Sequence, residues 1–270
     1  MFSVVIPAYN CSSTIVKVLD SVYLQTRLDL IEEIIIVNDG STDNTKNIIG
    51  EYKRLHPIPE IRYFEQKNKG VSSARNKGIR EAVSDWIALL DSDDLWMPDK
   101  IEKQAVCVMC NPDICFLGSS KTVKLIFKEY RRGLIRLNAH QLCIRSTPTT
   151  PSVIFKRGVA LELGLFDEDM HYCEDINFYQ KFLLKDSYYI LVDDLVKIGI
   201  EKKYHGESGL SSKLIDMNRG RNKNVIDLFQ MRLIGRIFLT IMILFNYIKL
   251  IRRIVVKKYE KMIWLEDIEI

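Results

Sequence analysis

Hydrophobic residues open the chain as a run, Phe2-Ser-Val-Val-Ile6, which Pro7 and the turn-prone Asn10 bring to an end. Residues 2–6 therefore predict a buried strand followed by a loop. Behind Ser12 and Ser13, either of which can cap a first turn, Ile15, Val18, Leu19 and Val22 recur at helical spacing. The unit then repeats. Glu33–Val37 predicts a strand, Asn38–Thr42 a loop, and Ile48, Ile49, Tyr52 and Leu55 the apolar stripe of a helix. Ile61–Phe64, a loop through Gly70 and a helix over about Ser72–Ala82 make a third unit. A fourth strand, Trp86–Leu90, runs into Asp91-Ser-Asp-Asp94, and Pro98 suits the first turn of a helix reaching about Met109. Strands alternating with helices in this way predict an α/β fold with a mostly parallel sheet covered on both faces. Ligands of such sheets collect beyond the carboxyl ends of the strands, which puts loops 7–12, 38–43 and 91–97 along one edge.

From Asn111 the pattern shifts to α+β: short strands at Ile114–Gly118 and Val123–Phe127, a Thr/Pro-rich loop at Ser146–Ser152, and helices near Lys156–Leu163 and Glu174–Leu184. Short strands at Tyr188–Val192 and Leu195–Ile200 follow, and from Met217 onward the pattern is helical. Three segments result: 1–110, 111–215 and 216–270. Within the last, residues 237–248 are apolar nearly all round, with Arg232 and Arg236 before them and Lys249, Arg252 and Arg253 after. Twelve residues fall short of the about 20 that span a bilayer. A helix lying in the interface, apolar side down and basic residues toward lipid phosphates, fits this pattern. A helix buried against the core or a second subunit is the alternative.

Composition narrows the picture modestly. With 270 residues, 47% hydrophobic and 27% charged, the chain is ordinary for a globular protein and too apolar for a disordered one. Its total charge of +4 is too small and mixed to point to nucleic acid. The distribution is more telling: Arg219–Lys258 holds ten Lys and Arg against the single Asp227, a net +9 that leaves −5 for the rest. A mildly acidic body with a basic tail is expected of a protein that meets an anionic surface at one end. Six cysteines without a framework spacing, and a start lacking the basic region of a secretion signal, suggest a reducing, cytosolic setting. Cys107 and Cys110 have no second pair to complete a zinc site, which favours buried free thiols.

The sharpest chemical signal is Asp91, Asp93 and Asp94, delivered to the ligand edge by an apolar strand. Clustered carboxylates repel one another unless a cation intervenes, and hard oxygens suit Mg²⁺ or Mn²⁺ completed by water and substrate phosphates. An Asp-rich cap on the next helix is the plainer alternative. In Val37-Asn-Asp-Gly-Ser-Thr-Asp43, Gly40 permits a tight turn and Asp39 is placed to accept hydrogen bonds from a base or ribose. In Lys69-Gly-Val-Ser-Ser-Ala-Arg-Asn76, Arg75 lies near a helix start, where backbone N–H groups and a guanidinium could meet a diphosphate. Glu174 and Asp175 open a helix whose Ile176, Phe178 and Tyr179 would pack beneath the site; the same carboxylates could simply favour the helix dipole.

Val4-Val-Ile-Pro-Ala-Tyr-Asn10, Val37–Asp43, Gly70–Asn76, Asp91–Asp94 and Glu174-Asp175, in this order and spacing over about residues 1–215, resemble the family 2 glycosyltransferases of the GT-A fold, the bacterial polysaccharide, capsule and O-antigen enzymes. The resemblance implies a nucleotide-sugar-binding lobe over 1–110 and an acceptor-binding and catalytic lobe over 111–215; the basic apolar pattern of 216–270 adds a tail expected to associate with a membrane. Pro7, Ala8 and Tyr9 would wall the base pocket, Asn10 would be a further substrate-binding residue, and Asp39 would bond the base. Arg75 would lie near the base or diphosphate and Asp91 near the ribose and donor sugar, and Ser92 would be a further substrate-binding residue. Asp93 would coordinate Mn²⁺ or Mg²⁺, and His205, in the Gly/Ser-rich Tyr204–Ser212, would be a further metal ligand. Asp175, beside Glu174, would be the general base of a single-displacement, inverting reaction. Trp96 would stack on the acceptor sugar or fill core space.

Processive synthases of this family carry Gln-x-x-Arg-Trp, and no Trp here follows Arg, so one sugar per encounter is expected. The implied function is metal-dependent transfer from a nucleotide donor, UDP-linked, to a saccharide or lipid-linked acceptor in cell-surface polysaccharide synthesis. The implied location is cytoplasmic, peripheral on the inner membrane face. The rivals are a non-catalytic nucleotide-sugar-binding scaffold, and a nucleotidyltransferase, which would want a Gly-rich basic phosphate loop that Pro7–Ser13 does not offer.

Overall fold

A computed structural model describes residues 1–121, 133–144, 148–200 and 213–266, with side chains of the last helix described to Val256. The strands are β1 (Phe2–Ala8), β2 (Ile31–Asn38), β3 (Glu60–Glu65), β4 (Trp86–Leu89), β5 (Leu95–Trp96), β6 (Phe116–Ser119), β7 (Leu134–Arg136), β8 (Ile154–Lys156), β9 (Tyr189–Leu191) and β10 (Val196–Lys197). The helices are α1 (Ile15–Tyr23), α2 (Thr45–Leu55), α3 (Val71–Glu81), α4 (Lys100–Cys110), α5 (Ala139–Ile144), α6 (Arg157–Glu162), α7 (Glu174–Gln180), α8 (Leu214–Gln230) and α9 (Arg236–Glu266). Eight strands form one sheet in the order β3-β2-β1-β4-β8-β6-β9-β7, and β5 pairs with β10 separately. The strands β3, β2, β1 and β4 are parallel, as the four repeating units predict. Between β4 and β6 lies β8, antiparallel to both, and β7 runs antiparallel to β9 at the edge.

The period-two alternation of a strand divides its residues between two faces. Val5, Ile35, Ile87 and Phe155 join a core with α3, α6, α7 and α8, whereas Val4, Ile34, Ala88 and Ile154 join another with α1, α2 and α4. Close helix approach is built in at Gly78 of α3, where a Cβ would lie 2.4 Å from Val5 Cγ1.

Differences from the sequence reading are local and have physical causes. The helix expected over 174–184 ends at Gln180 and tightens into a 3₁₀ turn over Lys181–Lys185. Ile154–Lys156, three residues long, becomes an interior strand, too short for its pattern to be read. Strands from both halves share the sheet, so residues 111–200 extend the first layer. The helical stretch after Met217 breaks near Arg232, whose φ is +60°, into α8 and α9. Val225 and Leu228 of α8 are buried in the main core, so α8 belongs to the body and not to a detachable tail. Val123–Phe127 and His205 lie outside the described residues.

Candidate active site

Three loops leave the carboxyl ends of β1, β2 and β4 and are laced together. Asn10, at φ +46°, accepts the Thr42 N–H on Oδ1 at 2.8 Å and donates its own N–H to Ser41 Oγ at 3.0 Å. Ser12 N–H donates to Asp43 Oδ2 at 3.0 Å, and Thr14 Oγ1 donates to the Ser92 carbonyl at 2.6 Å. Burial of Asp43 is outweighed by hydrogen bonds from Thr45 and Ser12, and its pKa falls to about 2. Pro7 and Ala8 are the buried end of β1, so of the expected base-pocket wall only Tyr9, 50% exposed, presents its side chain to solvent.

Asp39 is buried and already well supplied with donors. Oδ1 accepts from Gln66 Nε2 at 2.8 Å and Lys69 N at 2.9 Å, and Oδ2 accepts from Gly70 N at 2.9 Å. A carboxylate has about four lone-pair positions, so roughly one remains for a ligand. The carboxylate thereby fixes the loop that starts α3, where Gly70 has φ +91°.

That helix start places Arg75, whose side chain is 5% exposed, between two carboxylates. Nη2 donates to Asp91 Oδ1 at 2.7 Å and Nη1 to Glu174 Oε1 at 3.2 Å, while the guanidinium lies 5.3 Å from the Phe166 ring centroid. Burial opposes the arginine's charge, but Asp91 and Glu174 outweigh it and its pKa is raised. The guanidinium clamps the two carboxylates together. The sequence hides such a pair, because Arg75 and Glu174 are 99 positions apart.

Glu174 and Asp175 open α7. Burial and then Asp175 raise the Glu174 pKa, with Arg75 opposing; burial raises that of Asp175, partly offset by the Ile176 N–H. Asp175 Oδ1 accepts that N–H at 2.7 Å. A carboxyl whose proton affinity is raised suits a general base. Burial pushes the neighbouring Cys173 thiol up to about 12, so it is no nucleophile at neutral pH. One turn after Asp175, Tyr179 is fully buried. Its ring packs against Phe116 and Phe178, as the sequence reading expects.

Trp96 is corrected by the structure: it is 4% exposed, its indole N–H donates to the Pro151 carbonyl at 2.8 Å, and Lys100 Nζ lies 4.1 Å from the ring centroid. It fills core space and cannot stack on a sugar. In the acidic loop, Asp91 faces Arg75 and Asp94 is buried with Oδ1 accepting the Gly199 N–H at 2.7 Å. Asp93 and Ser92 are half-exposed. Among the described residues no three His, Cys, Asp or Glu side chains come together as a metal cage. Asp93, half-exposed as a residue, is a hard-oxygen side chain of the kind Mg²⁺ and Mn²⁺ take in ones or twos, with phosphate and water completing the shell.

Residues 3–167 match the family model described as glycosyl transferase family 2. The chain belongs to that family. It is 32% identical over 215 residues to an uncharacterized glycosyltransferase of Rickettsia typhi, covering 73% of this chain and 63% of that one. It is 45% identical over 102 residues to the chondroitin synthase of Escherichia coli, covering 38% of this chain and 14% of the synthase. The chain thus spans less than two thirds of these curated relatives. Among solved structures, S. aureus TarS in complex with UDP-GlcNAc is similar at TM-score 0.65 and 20% identity, covering 84% of this chain and 66% of that one. The mannosyltransferase PcManGT of Pyrobaculum calidifontis, in complex with GDP-Man and Mn²⁺, is similar at TM-score 0.67 and 19% identity, covering 85% and 64%. These two likenesses establish the fold, a mostly parallel sheet flanked by helices of the GT-A type.

Proposed function

We propose that this family 2 chain is an inverting, metal-dependent glycosyltransferase that moves one sugar from a nucleotide donor, UDP-linked, to a saccharide or lipid-linked acceptor in cell-surface polysaccharide synthesis. The observation that carries the reading is the Arg75 clamp, which joins Asp91 of the acidic loop to Glu174 beside Asp175. It supports the reading by linking the acidic loop after β4 to the start of α7. Asp175 takes the proton of the acceptor hydroxyl as that oxygen bonds to the anomeric carbon. The bond to the diphosphate breaks in the same displacement, and the electron pair leaves with the nucleotide. The raised proton affinity of Asp175 matches this task, and Glu174 remains held by Arg75. A divalent ion on Asp93, with His205 as a further ligand, would supply Lewis-acid stabilisation of the departing diphosphate.

No helix among the described residues is long and apolar enough to cross a membrane. Peripheral contact with the inner membrane face belongs to this proposal and is supported by α9. Phe238, Leu239 and Met242 pack on the core, while Ile237, Ile241, Leu244, Ile248, Ile251 and Val255 are exposed at alternating steps of four and three along the opposite face. From Leu228 to Tyr259 the sequence has seven Lys and Arg and no acid. A second copy would set like charges together, whereas anionic lipid attracts each basic residue by about 1 kcal/mol.

Titration with UDP, with and without Mn²⁺, followed by assay of nucleotide-sugar hydrolysis, tests the enzymatic reading. Asp175→Asn should keep UDP affinity and lose turnover by at least ~10²-fold. Metal-dependent UDP binding with no turnover of any nucleotide sugar, in wild type and variant alike, would identify a binding scaffold instead.

A further inference from the structure

We infer that α8 is part of the catalytic apparatus and that its Asn224 is a positioning residue for the general base, an inference that rests on the assignment of Asp175 to that role. The Asp175 carboxylate accepts from the backbone N–H groups of its own turn, that of Ile176 at 2.7 Å. The direction of the carboxylate is therefore set by the backbone of residues 173–176. That backbone is in an uncommon conformation: Cys173, immediately before α7, has φ +58° and ψ 28°, the left-handed region that a side chain with a Cβ disfavours. Such a geometry persists where surrounding contacts over-determine it.

The contacts come from α8. Asn224 is buried; its Nδ2 donates to the Cys173 carbonyl at 3.0 Å and its Oδ1 accepts from Asn177 Nδ2 at 3.0 Å. One amide thus grips the residue before Glu174 and the second residue after Asp175. The backbone carbonyl of Asn224 also accepts from Gln180 Nε2 at 3.1 Å, and Asn177 Nδ2 donates to Asp227 Oδ2 at 2.6 Å. One turn earlier on the same face, Gly220 lies against the chain so tightly that a Cβ would be 2.3 Å from the Tyr172 carbonyl oxygen. Met217, one turn earlier again, offers its carbonyl to the Cys173 thiol at 3.6 Å. Met217, Gly220 and Asn224 make one line along α8 that follows the Tyr172–Cys173 backbone.

The test uses the full chain with Asn224→Ala, the isosteric Asn224→Asp, and Asn222→Ala as a control, since Asn222 faces Asn246 of α9. Amide hydrogen exchange of residues 174–177 should quicken at least tenfold in both Asn224 variants, with the amides of β1 and β2 unchanged and Asn222→Ala like wild type. UDP affinity should stay within twofold while turnover in UDP-GlcNAc hydrolysis with Mn²⁺ falls at least tenfold. In an Asp175→Asn background, Asn224→Ala should lower turnover no further. Wild-type exchange at 174–177 in either folded variant would overturn the inference. So would equal losses of UDP affinity and turnover, the mark of a general folding role. If Asp175→Asn alone kept turnover, the base assignment would fail, while the exchange result would still judge the anchor.

Discussion

Replacing Arg75 by methionine keeps the side chain's bulk and removes its charge. The side chains of Asp91 and Glu174 are 24% and 11% exposed, so neither carboxylate can recover full hydration once the guanidinium is gone. Removing one partner of a buried ion pair typically costs about 3–5 kcal/mol because the other charge is left uncompensated. For a chain of this size each kcal/mol shifts Tm by roughly 2–4 °C, so the midpoint should fall by about 6–20 °C at pH 7.5. The pH dependence carries a sign. Glu174 and Asp175 have pKa values raised above the ordinary 4.5 and 3.8, so the native state binds more protons than the unfolded state between the ordinary and raised values. Stability then falls as pH rises through that window and recovers on acidification. Arg75 lowers both, so Arg75→Met should widen the window and gain more stability than wild type between pH 7.5 and pH 5.5. Circular dichroism melts at the two pH values read both effects. A variant melting within 2 °C of wild type at pH 7.5, with an unchanged response to acid, would refute the clamp's role.

Asp93→Ala should abolish the part of UDP binding that depends on Mn²⁺ while leaving the melting temperature near wild type, read by calorimetric titration and thermal shift. Gly78→Ala forces a methyl to within 2.4 Å of Val5 Cγ1 and should destabilise by about 1–3 kcal/mol in urea unfolding. Ending the chain after Leu250 keeps the packed Phe238, Leu239 and Met242 but removes Ile251, Arg252, Arg253 and Val255, and should abolish co-sedimentation with phosphatidylglycerol vesicles at unchanged stability. Retained vesicle binding would contradict the interfacial helix.

The four parallel strands were legible because fully buried strands read as unbroken β-branched runs closed by turn residues. The loops bearing Asn10, Asp39 and Asp91 were legible for the same reason, since strand ends place them. Long-range partnership was not: nothing local marks Arg75 as the companion of Glu174, or Asn224 of Cys173, because each pair forms only when distant elements pack. Trp96 shows the reverse failure, an aromatic beside a polar loop whose exposure the neighbouring residues do not decide. The tail was half legible. Its basic apolar character identifies α9, but the buried Asn218 and Asn224 make α8 look like a surface helix on polarity alone.

The strand β8, supplied by the later half of the chain, is hydrogen-bonded between β4 and β6. Its insertion stitches the two halves together like interlaced fingers, so no clamshell hinge can run between them without tearing main-chain ladders.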